Sequence, residues 1–186
     1  MYILVDKNNS IGGDYAPDDL IRLNSSFYSN TAGLLLRSAA VASLEKMAIA
    51  AREDGITISV ISAYRSYSRQ SVIYEQNVNR MGREAADKVS ARPGHSQHQL
   101  GFAADFGMLS NAFAQTAEGI WLAANASRFG WSLSYPDGYE EITGYTWESW
   151  HYRYVGVELA EFIDKYFDGI QQYALQFIHE HVIMKQ

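Results

Sequence analysis

Apolar positions along the chain change period from segment to segment, and each period predicts an element. From Thr31 to Asp54 the sequence is rich in Ala and Leu, lacks Pro, and sets Leu34, Val41, Leu44, Ala48 and Ala51 on one helical face. Gly55 supplies a stop, so a core helix is expected there. Ile56-Thr-Ile-Ser-Val-Ile61 follows as a β-branched, nearly continuous run, the pattern of a buried central strand. It delivers Ser62-Ala63-Tyr64-Arg65 to a strand end, and a helix from Ser68 to Met81 then has serine available as its cap. Glu84 to Ser90 reads as a polar passage. Leu100 to Phe106, after the Pro93-Gly94 turn, is apolar and small up to one acid, as a short buried strand would be.

In the second half, Ile120, Trp121, Ala124 and Phe129 keep helical spacing over residues 118–130, with Gly130 as the C-cap. Trp131 to Tyr135 alternates like a strand, and Pro136-Asp137-Gly138 turns it back towards Glu141-Ile142-Thr143, which predicts a hairpin. Val155 to Phe167 reads as an amphipathic helix, and Ile170, Tyr173, Ala174, Phe177, Ile178 and His181 continue at helical spacing to the end. That tail has three possible uses: packing on the core, covering a pocket mouth, or pairing two subunits through its aromatic stripe. The pattern leaves the oligomeric state open. Residues 3 to 24 hold a short strand-like run and turn chemistry, an arm expected only to pack. The expected architecture is one α+β domain over residues 1–186, a small, mainly antiparallel sheet flanked by helices, with an arm at 1–24 and an additional helix at 168–186.

Composition narrows the chemistry. With 47% hydrophobic residues the 186-residue chain is long enough for a sizeable core. A net charge of -6 provides no basic patch for nucleic acid. Cysteine is absent, which excludes disulfides, thiolate metal ligands and a cysteine nucleophile together. No run reaches about 18 apolar residues, and the start of the chain lacks a basic region followed by an apolar core.

The densest chemistry lies between Arg92 and Asp105, where two histidines, two glycines and an aspartate fall within fourteen positions. Asp105 ends the buried strand, and a buried carboxylate requires a cation or several donors. His98, seven residues earlier, is placed to share that cation, so a divalent metal is the simplest reading. His151 is the best candidate for a third ligand. If His98, Asp105 and His151 bind one Zn2+ tetrahedrally, the fourth position stays open for water, as in catalytic sites. Glu148 is then the unliganded acid that takes a proton. Residues three apart on a strand face opposite sides, so Glu148 and His151 can meet only if the backbone turns or bulges between them. His95 is expected to be a supporting or surface histidine rather than a fourth ligand, because a closed site leaves no room for water. Arg65 at a strand end reads either as a structural ion pair or as a site residue.

Ser96-x-His98-x-x-Gly101-x-Ala103-x-Asp105 and Glu148-x-Trp150-His151 resemble the zinc D-alanyl-D-alanine carboxypeptidases of the vancomycin-resistance (VanY-like) type and the related L,D-carboxypeptidases of peptidoglycan. The likeness extends through Ser62-Ala-Tyr-Arg-Ser-Tyr-Ser-Arg-Gln70, Ile142-Thr-Gly-Tyr145 and Tyr154-Val-Gly156, over roughly residues 2 to 165. It implies a hedgehog/D-Ala-D-Ala metallopeptidase-like fold and a zinc-dependent removal of the C-terminal D-alanine from stem peptides. It also implies a role for Arg65 in steadying the oxyanion. Tyr64, Ser66 and Gln70 are secondary candidates for lining the substrate pocket, with Tyr64 equally readable as core. Ser96 either positions His98 or meets the substrate carboxylate. The resemblance implies work outside the cytoplasmic membrane, by way of a trimmed leader or another route of export. Three readings compete: a wall endopeptidase of endolysin type, a non-haem Fe(II) oxygenase, and a non-catalytic wall-binding module. The seven-residue spacing and an idle Glu148 weigh against the second, and the presence of Glu148 against the third.

Overall fold

The computed structural model describes residues 2–24, 28–29 and 32–183. The arm runs without regular structure to β1 (Leu20–Arg22), burying Leu4 and Val5 on the way. After β2 (Tyr28–Ser29) comes β3 (Leu35–Arg37), which pairs antiparallel with β1 in a two-stranded ribbon. Helix α1 (Ser38–Glu53) therefore starts later than its Ala and Leu content predicts; Thr31, where the helix was expected to begin, lies outside the described residues. Leu36 is fully buried as a strand residue, and ladder bonds to β1 take the backbone groups that a longer helix would have used. At the other end Gly55 adopts φ +77°, and the Ile56 N–H donates to the Ala51 carbonyl at 2.8 Å. That bond closes the helix and delays strand β4 (Ser59–Ser62) by three residues relative to the β-branched run.

Ser66 caps α2 (Tyr67–Met81), its hydroxyl accepting from the Arg69 N–H at 3.2 Å. The expected polar passage is instead helix α3 (Arg83–Val89). Only Ala86 is buried on it, so no apolar period announced the helix; contacts made through Asp87, to the Tyr74 hydroxyl and to Lys7, hold it. A 3-10 turn (Gln97–Leu100) precedes β5 (Ala103–Phe106), so the expected strand from Leu100 is shortened at its start.

A 3-10 turn (Asn111–Gln115), α4 (Ala117–Asn125) and a further 3-10 turn (Ala126–Phe129) lead to β6 (Trp131–Leu133). The hairpin expected between residues 131–135 and 141–143 does not form. Residues 140–143 make a single helical turn, α5 (Glu140–Thr143), and β6 pairs antiparallel with β7 (His151–Tyr154) across a wide connection. Gly138 does adopt φ +79°, but the segment it redirects satisfies its own backbone groups, the Thr143 N–H donating to the Tyr139 carbonyl.

The main sheet has the order β2-β4-β5-β7-β6, antiparallel throughout except for the β2–β4 pair. Helix α1 and the 3-10 turn before β6 cover it, with Leu44, Met47, Phe106 and Trp131 fully buried or nearly so. Helices α6 (Val157–Tyr166) and α7 (Gln171–Ile178), followed by a π-helical turn (His179–Ile183), close the described chain. They build a second apolar cluster from Val155, Leu159, Ile163 and Leu175, which Leu4 of the arm completes. Met184 to Gln186, the end of the expected final helix, lie outside the described residues.

Candidate active site

Register places the site. In the β5–β7 ladder Asp105 lies directly opposite His151, and opposed residues of an antiparallel pair project from the same face. His98 comes from the 3-10 turn just before β5, where Ser96 caps the turn and its hydroxyl accepts from the His98 N–H at 3.3 Å. Gly101, at φ +73°, ends that turn and sends the chain into the strand. Glu148 enters from a tight turn immediately before β7: its own N–H donates to the Tyr135 carbonyl and its carbonyl accepts from the His151 N–H. The expected irregularity between Glu148 and His151 is this turn, and it brings Glu148 Oε2 to 3.6 Å from His151 Nδ1.

Ligand atoms of His98, Asp105 and His151 all lie within 4.8 Å of one another, and each residue is buried. His98 Nε2 is 3.2 Å from Asp105 Oδ2, and His151 Nδ1 is 3.0 Å from Asp105 Oδ1. The outer nitrogens have acceptors of their own. His98 Nδ1 lies 2.6 Å from the Ala63 carbonyl and His151 Nε2 lies 3.3 Å from Gln97 Oε1, and both oxygens only accept. A ring that donates outward to these oxygens turns its other nitrogen, as a lone pair, towards the point between the three residues, the arrangement a metal-ligating histidine needs. Burial and the nearby Arg65 charge push the His98 pKa down to about 4, so that ring stays neutral. Burial alone would raise the Asp105 pKa, whereas positive charge on the facing His98 and His151 would pull it well below the usual carboxylate range, and a metal ion among the three supplies that charge instead. Asp105 Oδ1 is buried without a hydrogen-bond partner among the described residues. Two imidazoles and one buried carboxylate that converge on one point with an open side suit catalytic zinc.

Arg65 stands beside this cluster with Nη2 3.7 Å from Asp105 Oδ2. Gln70 Oε1 accepts from Nη1 at 2.8 Å and the Ser62 hydroxyl from Nη2 at 3.1 Å. Gln70 in turn donates to the Ala91 carbonyl at 2.6 Å, which settles which way its amide points. Burial lowers the Arg65 pKa, but the group stays a cation. Burial pushes the Glu148 pKa up to about 7, against the pull of His151; a dication in the cluster would draw it back down.

His98, Asp105, His151, Arg65 and Glu148 open onto a cavity of about 440 Å³. Ser96 lines it as well, whereas Tyr64, Ser66 and Gln70 do not: Ser66 caps α2 and Gln70 braces Arg65 from behind. Sequence reasoning missed Tyr135, Tyr145, Asn77 and Arg80 in the wall. Tyr135 packs its ring 4.8 Å from that of His151, and the Tyr145 hydroxyl is buried without a partner among the described residues. The blocks that carry these tyrosines were visible, but aromatic residues next to a strand read as core. His95 Nδ1 lies 2.7 Å from the Asp6 carbonyl, outside the ligand cluster.

Comparison with known proteins gives the arrangement relatives. The family model described as VanY: D-alanyl-D-alanine carboxypeptidase matches residues 33–157. The provisionally named carboxypeptidase YodJ of Bacillus subtilis is 36% identical over 184 residues, spanning 91% of this chain and 67% of that protein. The chain spans about half, 47%, of a D-alanyl-D-alanine carboxypeptidase of Enterococcus faecalis. Among solved structures, the LdcB LD-carboxypeptidase superposes with a TM-score of 0.81 at 34% identity, covering 90% of this chain and 86% of its own. A zinc complex of the D,D-pentapeptidase VanY from a VanB-type resistance cassette gives 0.78 at 32% identity, with 94% and 98% covered.

Proposed function

We propose that this chain, which belongs to the VanY D-alanyl-D-alanine carboxypeptidase family, removes the C-terminal D-alanine from peptidoglycan stem peptides. The observation that carries the reading is the trio His98, Asp105 and His151, with ligand atoms within 4.8 Å of one another and Glu148 alongside. These three residues would hold the zinc. When bound, zinc activates water by drawing its pKa towards about 7 and polarises the scissile carbonyl.

Each further part falls to a residue of the chain. The stem peptide enters the cavity of about 440 Å³ with its last peptide bond beside Glu148. Glu148 Oε2 takes a proton from the attacking water as the new C–O bond forms. It returns that proton to the amine as the C–N bond breaks, so the products are a shortened peptide and free D-alanine. Arg65, braced by Gln70 and Ser62, offers Nη2 to the oxygen on which charge develops. Ser96 sets the backbone of His98, and the unpartnered Tyr145 hydroxyl is a donor for the peptide backbone. A wall substrate places this work outside the cytoplasmic membrane. No helix among the described residues is long and apolar enough to cross one.

The endopeptidase and binding-module readings find no counterpart in the relatives above, which are named as carboxypeptidases or as a D,D-pentapeptidase. Mass spectrometry of the zinc-loaded protein with a stem pentapeptide and, separately, a stem tetrapeptide tests the assignment. Loss of one alanine is the expected result: from the pentapeptide it marks a D,D-enzyme, from the tetrapeptide an L,D-enzyme. Both peptides surviving intact would overturn it.

A further inference from the structure

We infer that Gln171, on the C-terminal helix α7 and beyond the span of the family match, is a positioning residue that aims the metal ligand His151 through Gln97. The inference rests on reading the His98, Asp105 and His151 cluster as a zinc site. Its chain of hydrogen bonds has one direction. Gln171 Nε2 lies 3.1 Å from the Ser132 backbone carbonyl, which only accepts, so the amide nitrogen must be on that side. Gln171 Oε1 then accepts from Gln97 Nε2 at 3.3 Å. Gln97 is thereby turned with Oε1 towards His151 Nε2, 3.3 Å away. The Ser134 hydroxyl strengthens the sense, donating to Gln97 Oε1 at 2.7 Å while it accepts from Gln171 Nε2 at 3.3 Å.

The consequence reaches the metal. With zinc on Nδ1 the His151 hydrogen is on Nε2, and the Gln97 oxygen facing it accepts that hydrogen. Were the Gln97 amide reversed, its nitrogen would face the Nε2–H, donor against donor, and the ring could not keep this position. Gln97 has no backbone group of its own to choose between these orientations; Gln171 makes the choice. Gln97, Ser134, His151 and Gln171 are all buried, so water does not substitute for a lost partner. A partner that fixes the tautomer of a metal-ligating histidine typically contributes 10- to 100-fold in metal affinity.

Three proteins separate this role from simple packing: wild type, Gln171→Met, which keeps the length of the side chain without its polar atoms, and Leu175→Ala, which loosens the same helix without touching the relay. Proton and nitrogen-15 NMR of labelled histidine in zinc-loaded protein reads the hydrogen bond at His151 Nε2–H, and chelator competition reads zinc affinity. Wild type should show a hydrogen-bonded, slowly exchanging Nε2–H. Gln171→Met should lose that signal and bind zinc 10- to 100-fold more weakly, whereas Leu175→Ala should lower the melting temperature and keep both the signal and the affinity. Gln171→Glu should keep the signal, because a buried neutral carboxylic acid donates to Ser132 and accepts from Gln97. Retention of the hydrogen-bonded Nε2–H and full affinity in Gln171→Met would overturn the relay. So would zinc-loaded wild type without a hydrogen-bonded Nε2–H, a result that needs no variant to fold. Wild type that binds no zinc at all would instead remove the metal-site reading.

Discussion

In the proposed mechanism Glu148 and Arg65 act on the same bond from different supports, and their substitutions should fail in different ways. Glu148→Gln keeps the shape of the side chain and removes its basicity, so kcat should fall by about 100- to 10,000-fold. Zinc content, measured by metal analysis, should stay at one ion. Arg65→Lys keeps the charge but cannot satisfy Gln70, Ser62 and the developing oxyanion together. It should lower kcat by about 100-fold with little change in KM, the signature of an interaction made in the transition state. At this scale the motifs were legible: His98, Asp105, His151, Glu148 and Arg65 stand in blocks whose residue types have no other shared use. Gln70 was legible as a member of a block, yet its place behind Arg65 depends on the Ala91 carbonyl, a partner twenty-one residues away.

Elements set the distances between those residues. Gly101 joins the turn that holds His98 to the strand that holds Asp105, and it does so with positive φ in a crowded place. A Cβ there would lie 2.8 Å from Arg37 Cγ and 3.0 Å from Leu20 Cδ2. Gly101→Ala should therefore destabilise the fold by about 1–3 kcal/mol, measured by denaturant unfolding, and weaken zinc binding with it. The periods that announced α1, α4 and α6 were read from apolar faces and α2 from its serine cap, and those helices exist. Helix α3 escaped because its one buried residue, Ala86, makes no stripe, and residues 140–143 escaped because a Pro-Asp-Gly turn suits a hairpin and a helical turn equally. Gln171 left a faint signal: it shares a face with Ala174 and Leu175, where a buried polar residue is uncommon.

Across the whole molecule, the parts outside the family match grip the site from behind. Asp6 of the arm accepts from Gln172 of α7 at 2.7 Å, and Arg153 of β7 donates to the Ile3 carbonyl at 2.8 Å. Because the proposed zinc ligands come from two strands and a turn, metal should bind only the folded chain. At a free zinc concentration 100 times the dissociation constant, stability should rise by about 2.7 kcal/mol. Differential scanning calorimetry should show the melting temperature falling on chelation and recovering with zinc. His151→Ala should abolish that response. The sequence by itself determined the family and put His98, Asp105 and His151 forward as candidate ligands, because local motifs and periodicities are written in neighbouring positions. Only the tertiary structure decided which imidazole nitrogen faces Asp105, what steadies Arg65 and what the C-terminal helix touches. Each of those depends on a hydrogen bond between residues far apart in the chain, and a sequence pattern carries no record of which distant carbonyl a side chain will meet.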